Sequence, residues 1–117
     1  MEEIHIDFQG FESSQKLRQH IVRRFQSEFG LKQYMISKIN IRLSHGDSEQ
    51  DEMAICCRVQ ADIKNQPVVI TELISENVIT AIDLAIEHAN LKLSHRINGN
   101  KEFRKRLENK KKRFLQN

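Results

Sequence analysis

Six apolar residues fall on every second position between Met53 and Ile63: Met53, Ile55, Cys57, Val59, Ala61 and Ile63, with Ala54, Cys56, Arg58, Gln60 and Asp62 between them. A helix would scatter such a set around its axis, whereas a strand puts all six on one face. A strand this long with one apolar face cannot stand alone. It needs neighbouring strands to take up its backbone groups and a cover for its apolar side. Whatever else the chain does, it has to build a sheet covered on one face.

The rest of the sequence supplies both. Ile4, Ile6 and Phe8 alternate in a short strand that ends at Gly10. Ser13 or Ser14 then caps a helix carrying Leu17, Ile21, Val22, Phe25 and Phe29 on one arc, with Lys16, His20, Arg23 and Arg24 on the other side. Gly30 suits the position after the last helical turn. A second strand, Ser37 to Ser44, alternates Ile39, Ile41 and Leu43 with Lys38, Asn40 and Arg42, and the polar run His45 to Gln50 reads as a loop. After the long strand, a turn at Lys64-Asn65-Gln66 leads to a fourth strand, Pro67 to Thr71, with the proline at its start or on a sheet edge. Ser75 is the expected cap of a long helix, Glu76 to Ile97, whose stripe is Val78, Ile79, Ile82, Ala85, Ile86, Ala89, Leu93 and Ile97. Leu84 and Leu91 lie seven residues apart on its opposite side. Asn98-Gly99-Asn100 breaks the pattern, and Phe103, Leu107 and Phe114 keep helical spacing beyond it, which predicts a helical tail from about Asn100 to Phe114.

The expected fold is α+β, with element order β-α-β-β-β-α. Strands one and two run parallel across the helical crossover, the short links make the next strands antiparallel, and both helices pack on one face of a four-stranded mixed sheet in order one to four. At 117 residues, the chain divides into one domain, 1–97, and a basic C-terminal tail, 98–117. The alternation predicts Ile55, Cys57 and Val59 buried against Ile21, Phe25, Ile82 and Ile86.

Charge is unevenly spread. From Lys92 to Asn117 there are ten Lys/Arg and two acids, a net +8, while the rest holds nine basic and fourteen acidic residues, a net −5. A basic end on an acidic body suits a polyanion partner, or simply a solvated tail. Lys16, Arg23 and Arg24 on the first helix, with Lys92 and Arg96 on the second, fall off the apolar stripes and are expected to be exposed, forming a groove for phosphates. Duplex RNA is read through shape, phosphates and 2′-hydroxyls. One tyrosine, Tyr34, and no tryptophan argue against a platform that stacks single-stranded bases.

Other chemistry finds little support. The only cysteines, Cys56 and Cys57, are adjacent and point to opposite faces of a strand, which suits neither a disulfide nor a zinc site and fits a reduced cytosolic compartment. His88 and His95 share a helix face but sit about 10.5 Å apart along it, too far for one zinc. No phosphate-cradling glycine loop, nucleophile elbow or paired-carboxylate motif is present, and Asp83 reads as a structural residue. No apolar run reaches membrane-spanning length, and the acidic N-terminus lacks the features of a secretory signal.

Two stretches carry a family resemblance. Asn77-Val78-Ile79-Thr80-Ala81-Ile82-Asp83 resembles the D-[ML]-Y-A-A-I-D helix start of the ribosome hibernation promoting factors, also called ribosome-associated inhibitors. Ile4-His5-Ile6-Asp7-Phe8-Gln9-Gly10 followed by Leu17-Arg18-Gln19-His20-Ile21 resembles their I-x-I-x-G … L-[RK]-x-[YH]-[IV] opening. The likeness covers about Ile4 to Ile97 and is to the short, sigma-54 modulation protein-like type. It implies a fold similar to a double-stranded-RNA-binding domain. It implies a cytoplasmic, non-enzymatic protein that binds the small ribosomal subunit and its rRNA near the decoding centre and stops translation in dormancy or stress. It further implies a monomer off the ribosome, with no cofactor, metal, membrane or small-molecule substrate. The chain departs from the pattern at Asn77 and Ile79, and at His88, Leu91 and His95, where the family tends to carry Lys or Arg facing rRNA. The residues expected to contact rRNA are Lys16, Arg23, Arg24, His88, Lys92, His95, Arg96, Lys101, Arg104 and Lys105. The other class left open is a protein-interaction module that docks a partner through Leu84, Leu91 and the tail.

Overall fold

The computed structural model describes residues 4–45 and 54–99, together with 105, 108 and 109. Its elements run β1 (Ile4–Phe8), α1 (Gln15–Phe29), a 3-10 helix (Gly30–Met35), β2 (Ile36–His45), β3 (Ile55–Ile63), β4 (Val69–Ser75) and α2 (Val78–Asn98). The four strands form one sheet in order β1-β2-β3-β4. β1 is parallel to β2, and the β2–β3 and β3–β4 pairs are antiparallel. Ile21 and Phe25 of α1 and Ile82, Ile86 and Leu93 of α2 share one core with Ile39, Ile41, Leu43, Cys57, Val59, Ala61 and Val69. Both helices therefore cover the same face, as the alternation of the long strand requires.

The register of β3 is the expected one. Cys57 and Val59 are fully buried and Ile55 is half-buried. Cys57 lies among the core residues, and burial pushes its thiol up to about 12, with Cys56 adding to the shift. At the start of β2 the alternation breaks. Ile36 pairs with Ile63 and Lys38 with Asp62, so Ser37 is an extra residue. That bulge lets Ile36 and Ile39 both reach the core despite their odd spacing. Ser37 uses its freedom to donate a hydrogen bond to the Asp62 carbonyl, at 3.1 Å.

Several element ends differ from the sequence expectation, each for a local reason. Ser14 is the α1 cap, with its hydroxyl accepting from the Leu17 N–H. The α2 cap is Asn77 rather than Ser75. The Asn77 side-chain oxygen accepts from the Thr80 N–H, while the Ser75 hydroxyl accepts from the Asn77 N–H just before the helix, so the helix starts at Val78 and not at Glu76. β4 starts at Val69 and runs on to Ser75, because Cys57, Cys56 and Ile55 continue to pair with Leu73, Ile74 and Ser75. Ile79, placed on the buried stripe by spacing alone, is exposed, since it falls in the first turn of α2. Ala54, just before β3, is buried, and Met53 lies outside the described residues. Gly10 ends β1 with φ +78°, and a Cβ there would meet the His45 ring at 3.0 Å. That ring stacks on Phe11 and donates to the Gly10 carbonyl, pinning the β1–α1 link to the end of β2.

Candidate nucleic-acid interface

The two helices meet along a polar seam. His20, Arg24 and Glu28 recur every fourth residue on α1, and Lys32 continues the row in the 3-10 helix. His20 donates through Nε2 to Asp83 Oδ1 at 2.7 Å. Arg24 donates to Glu28 Oε2 at 2.8 Å and lies 3.5 Å from Asp83 Oδ1. Asn90 donates to Glu28 Oε1, and Lys32 donates to both Asn90 Oδ1 and Ser94 Oγ. The pairs His20–Asp83, Glu28–Asn90 and Lys32–Ser94 are separated in sequence by 63, 62 and 62 residues. Partners thus advance together, and the helices run parallel.

Electrostatics tightens the seam. The hydrogen bond from Arg24 holds the Glu28 carboxyl below its usual range, with Asn90 and Lys32 acting in the same direction. The same bond raises the Arg24 guanidinium above its ordinary value. Burial lowers the Lys32 ammonium, and Glu28 partly offsets that.

The candidate residues divide by how much of their charge the fold already uses. Lys16 and Arg23 are exposed on α1 and make no hydrogen bond or ion pair with another described residue. Arg24 is half-buried, contrary to the expected exposure, because Glu28 and Asp83 draw it into the seam. On α2, His88 and His95 are exposed. Lys92 is exposed too, yet its ammonium donates to the Ile70 carbonyl at 2.6 Å. Arg96 is half-buried, again contrary to expectation, because its guanidinium donates to the carbonyls of Pro67 and Val68. Val68 directly precedes β4 and Ile70 lies near its start, and β4 is an edge strand of the sheet. Lys92 and Arg96 therefore lie along the free edge of β4. His88, Leu91, Lys92, His95 and Arg96 together line a shallow surface depression of about 470 Å³. Lys105 is exposed and helical, whereas Lys101, Arg104 and most of the expected helical tail lie outside the described residues.

The structure thus leaves Lys16 and Arg23 exposed on α1 and groups His88, Lys92 and His95 in the depression on the β4 side of α2, while the polar seam between the helices is one that sequence reasoning did not find. The Arg24–Glu28 spacing of four was the available signal. Asp83, read as structural, is one of the residues that bridge the two helices. Among the described residues, no three of His, Cys, Asp and Glu are grouped to hold a metal, and no helix is long and apolar enough to cross a membrane.

Comparison with known proteins accords with this architecture. A ribosomal subunit interface protein from Coxiella burnetii superposes with a TM-score of 0.69 at 16% identity, over 80% of this chain and 96% of that one. The N-terminal domain of Protein Y from Thermus thermophilus superposes with a TM-score of 0.60 at 13% identity, over 81% of this chain and 96% of that one. At such identities these likenesses establish the fold. No curated protein matches by sequence. The family model described as sigma 54 modulation protein / S30EA ribosomal protein matches residues 4–112, nearly the whole chain and well into its basic end. The chain belongs to the sigma 54 modulation protein / S30EA ribosomal protein family.

Proposed function

We propose that this chain is a cytoplasmic, non-enzymatic factor that binds rRNA of the small ribosomal subunit near the decoding centre and lowers translation in dormancy or stress. Family membership over residues 4–112 is the observation that carries the reading. The physical support is a pair of parallel helices on one layer, with Lys16 and Arg23 exposed on α1 and His88, Lys92 and His95 grouped on the β4 side of α2. Lys16 and Arg23 are the strongest contacts, because no described residue takes up their charges. Lys92 and Arg96 contribute less, since β4 already holds them.

Cosedimentation with ribosomes across a salt series tests this. Binding should weaken steeply with salt. Changing Lys16 and Arg23 together to alanine should flatten the slope by about 0.7–0.9 for each phosphate no longer neutralised. Binding that is salt-independent, or unchanged in the double variant, rejects the interface. A second reading rests on Leu84 and Leu91, 38% and 51% exposed on the outer side of α2. Two large apolar side chains on one helix face suit a protein partner. Abolished ribosome binding on Leu91→Ser, with the Lys16/Arg23 variant unaffected, would favour that reading.

A further inference from the structure

The helices cover one face of the sheet, and the other face is polar except for Cys56, Ile70 and Ile74 toward β4. Strand register sets its residues in rows. Asp7 of β1 pairs with Arg42 of β2, Arg42 with Arg58 of β3, and Arg58 with Glu72 of β4. The next row places His5 beside Asn40 and Asn40 beside Gln60. His5, Asp7, Asn40, Arg42, Arg58 and Gln60 line a depression of about 420 Å³ on this face.

The centre of that arrangement is unfavourable as it stands. Like charges directly opposite on neighbouring strands repel, and Arg42 faces Arg58. Each has an acid on its outer side. Arg42 Nε is 3.6 Å from Asp7 Oδ2, and Arg58 Nε is 3.6 Å from Glu72 Oε1. These separations are ion pairs and exceed hydrogen-bond length. Neither guanidinium donates a hydrogen bond to another described residue, and Arg58 Nε is shut off from solvent with no acceptor. A buried donor without a partner marks a place where an acceptor belongs.

We propose that this open sheet face is a binding site for a phosphoryl group, held between Arg42 and Arg58 and hydrogen-bonded by the side-chain amides of Asn40 and Gln60. A tetrahedral oxyanion has enough acceptor oxygens to engage two planar guanidinium forks at once, and its charge removes the repulsion between them. Asp7 and Glu72 act as orienting groups. They steady the arginines from the outer strands and neutralise the face when it is empty. The described lining carries no aromatic ring other than the His5 imidazole, so the site recognises phosphate rather than a stacked base. The source is either a free compact phosphate, such as pyrophosphate or a nucleotide's phosphates, or a phosphodiester of RNA. The site lies on the side of the sheet away from α1 and α2 and does not depend on the helical interface proposed above.

The test is an NMR titration of the isolated protein, following the side-chain amides of Asn40 and Gln60 and the Nε–H groups of Arg42 and Arg58. One arm adds sodium pyrophosphate and the other a short uridine oligoribonucleotide. Both are repeated on Arg42→Gln and Arg58→Gln. Either probe should shift these four groups, and either glutamine variant should weaken binding at least tenfold. A response to pyrophosphate alone assigns a free phosphate, and a response to the oligonucleotide alone assigns a phosphodiester. The proposal is overturned if neither probe moves the four groups, if the shifts map instead to the helices, or if both variants bind as wild type. Should a variant fail to fold, the wild-type shift map decides by itself. Ribosomes are absent, so failure here is separate from failure of the ribosome reading.

Discussion

Charged residues of one kind meet quite different fates in this chain. Lys16 and Arg23 meet no partner among the described residues, Arg24 gives its charge to Glu28 and Asp83, and Arg96 gives its to backbone carbonyls. Composition cannot separate these cases, because apart from Glu28, four residues along the chain from Arg24, the partners are brought in by packing. Glu28 carries a consequence for acid stability. Its carboxyl is held below the ordinary 4.5, so it contributes stability above that value and loses it as pH falls through the lowered native value. Glu28→Gln should therefore lower the urea midpoint at pH 7 and make a smaller difference at pH 3. An equal loss at both pH values would show that Glu28 acts through packing alone.

Among elements, β3 was the most legible, since a strand buried on one face writes its register directly into the sequence. The α1 arc was nearly as clear, with Ile21, Phe25 and Phe29 buried as spaced. The bulge at Ser37 was not legible, because a single extra residue shows only once the partner strand is known. Nor was the α1–α2 seam, where His20 and Asp83 lie 63 residues apart. On the candidate interface, the sequence located the basic positions but could not tell which ones β4 and α2 would occupy. The start of α2 offers a clean check of local chemistry against pattern. Both Ser75 and Asn77 are cap-type residues, but only Asn77 accepts from a helical N–H. Asn77→Ala should cost about 1 kcal/mol in urea unfolding and Ser75→Ala distinctly less. A larger loss at Ser75 would move the helix start back to Glu76.

At the scale of the whole molecule, charge is polarised along the chain. Removing residues 98–117 takes away eight Lys/Arg and two acids and turns the formal charge from +3 to −3. If the basic end serves as an arm toward RNA, that deletion should reduce ribosome affinity in cosedimentation and leave the thermal midpoint nearly unchanged. A lowered midpoint with intact affinity would make the tail a structural strap. The sheet ends on one side at β4, where the carbonyls of Val68 and Ile70 are met by Arg96 and Lys92. An open strand edge is a template for another copy of the same chain, and long basic side chains laid across it block that template. The two residues should therefore act as a brake on self-assembly, with an effect that grows with protein concentration. Changing Lys92 and Arg96 together to alanine should leave the monomer folded by circular dichroism. In size-exclusion chromatography, the variant should shift progressively toward dimers and larger species as concentration rises, while the wild-type chain elutes at one position throughout.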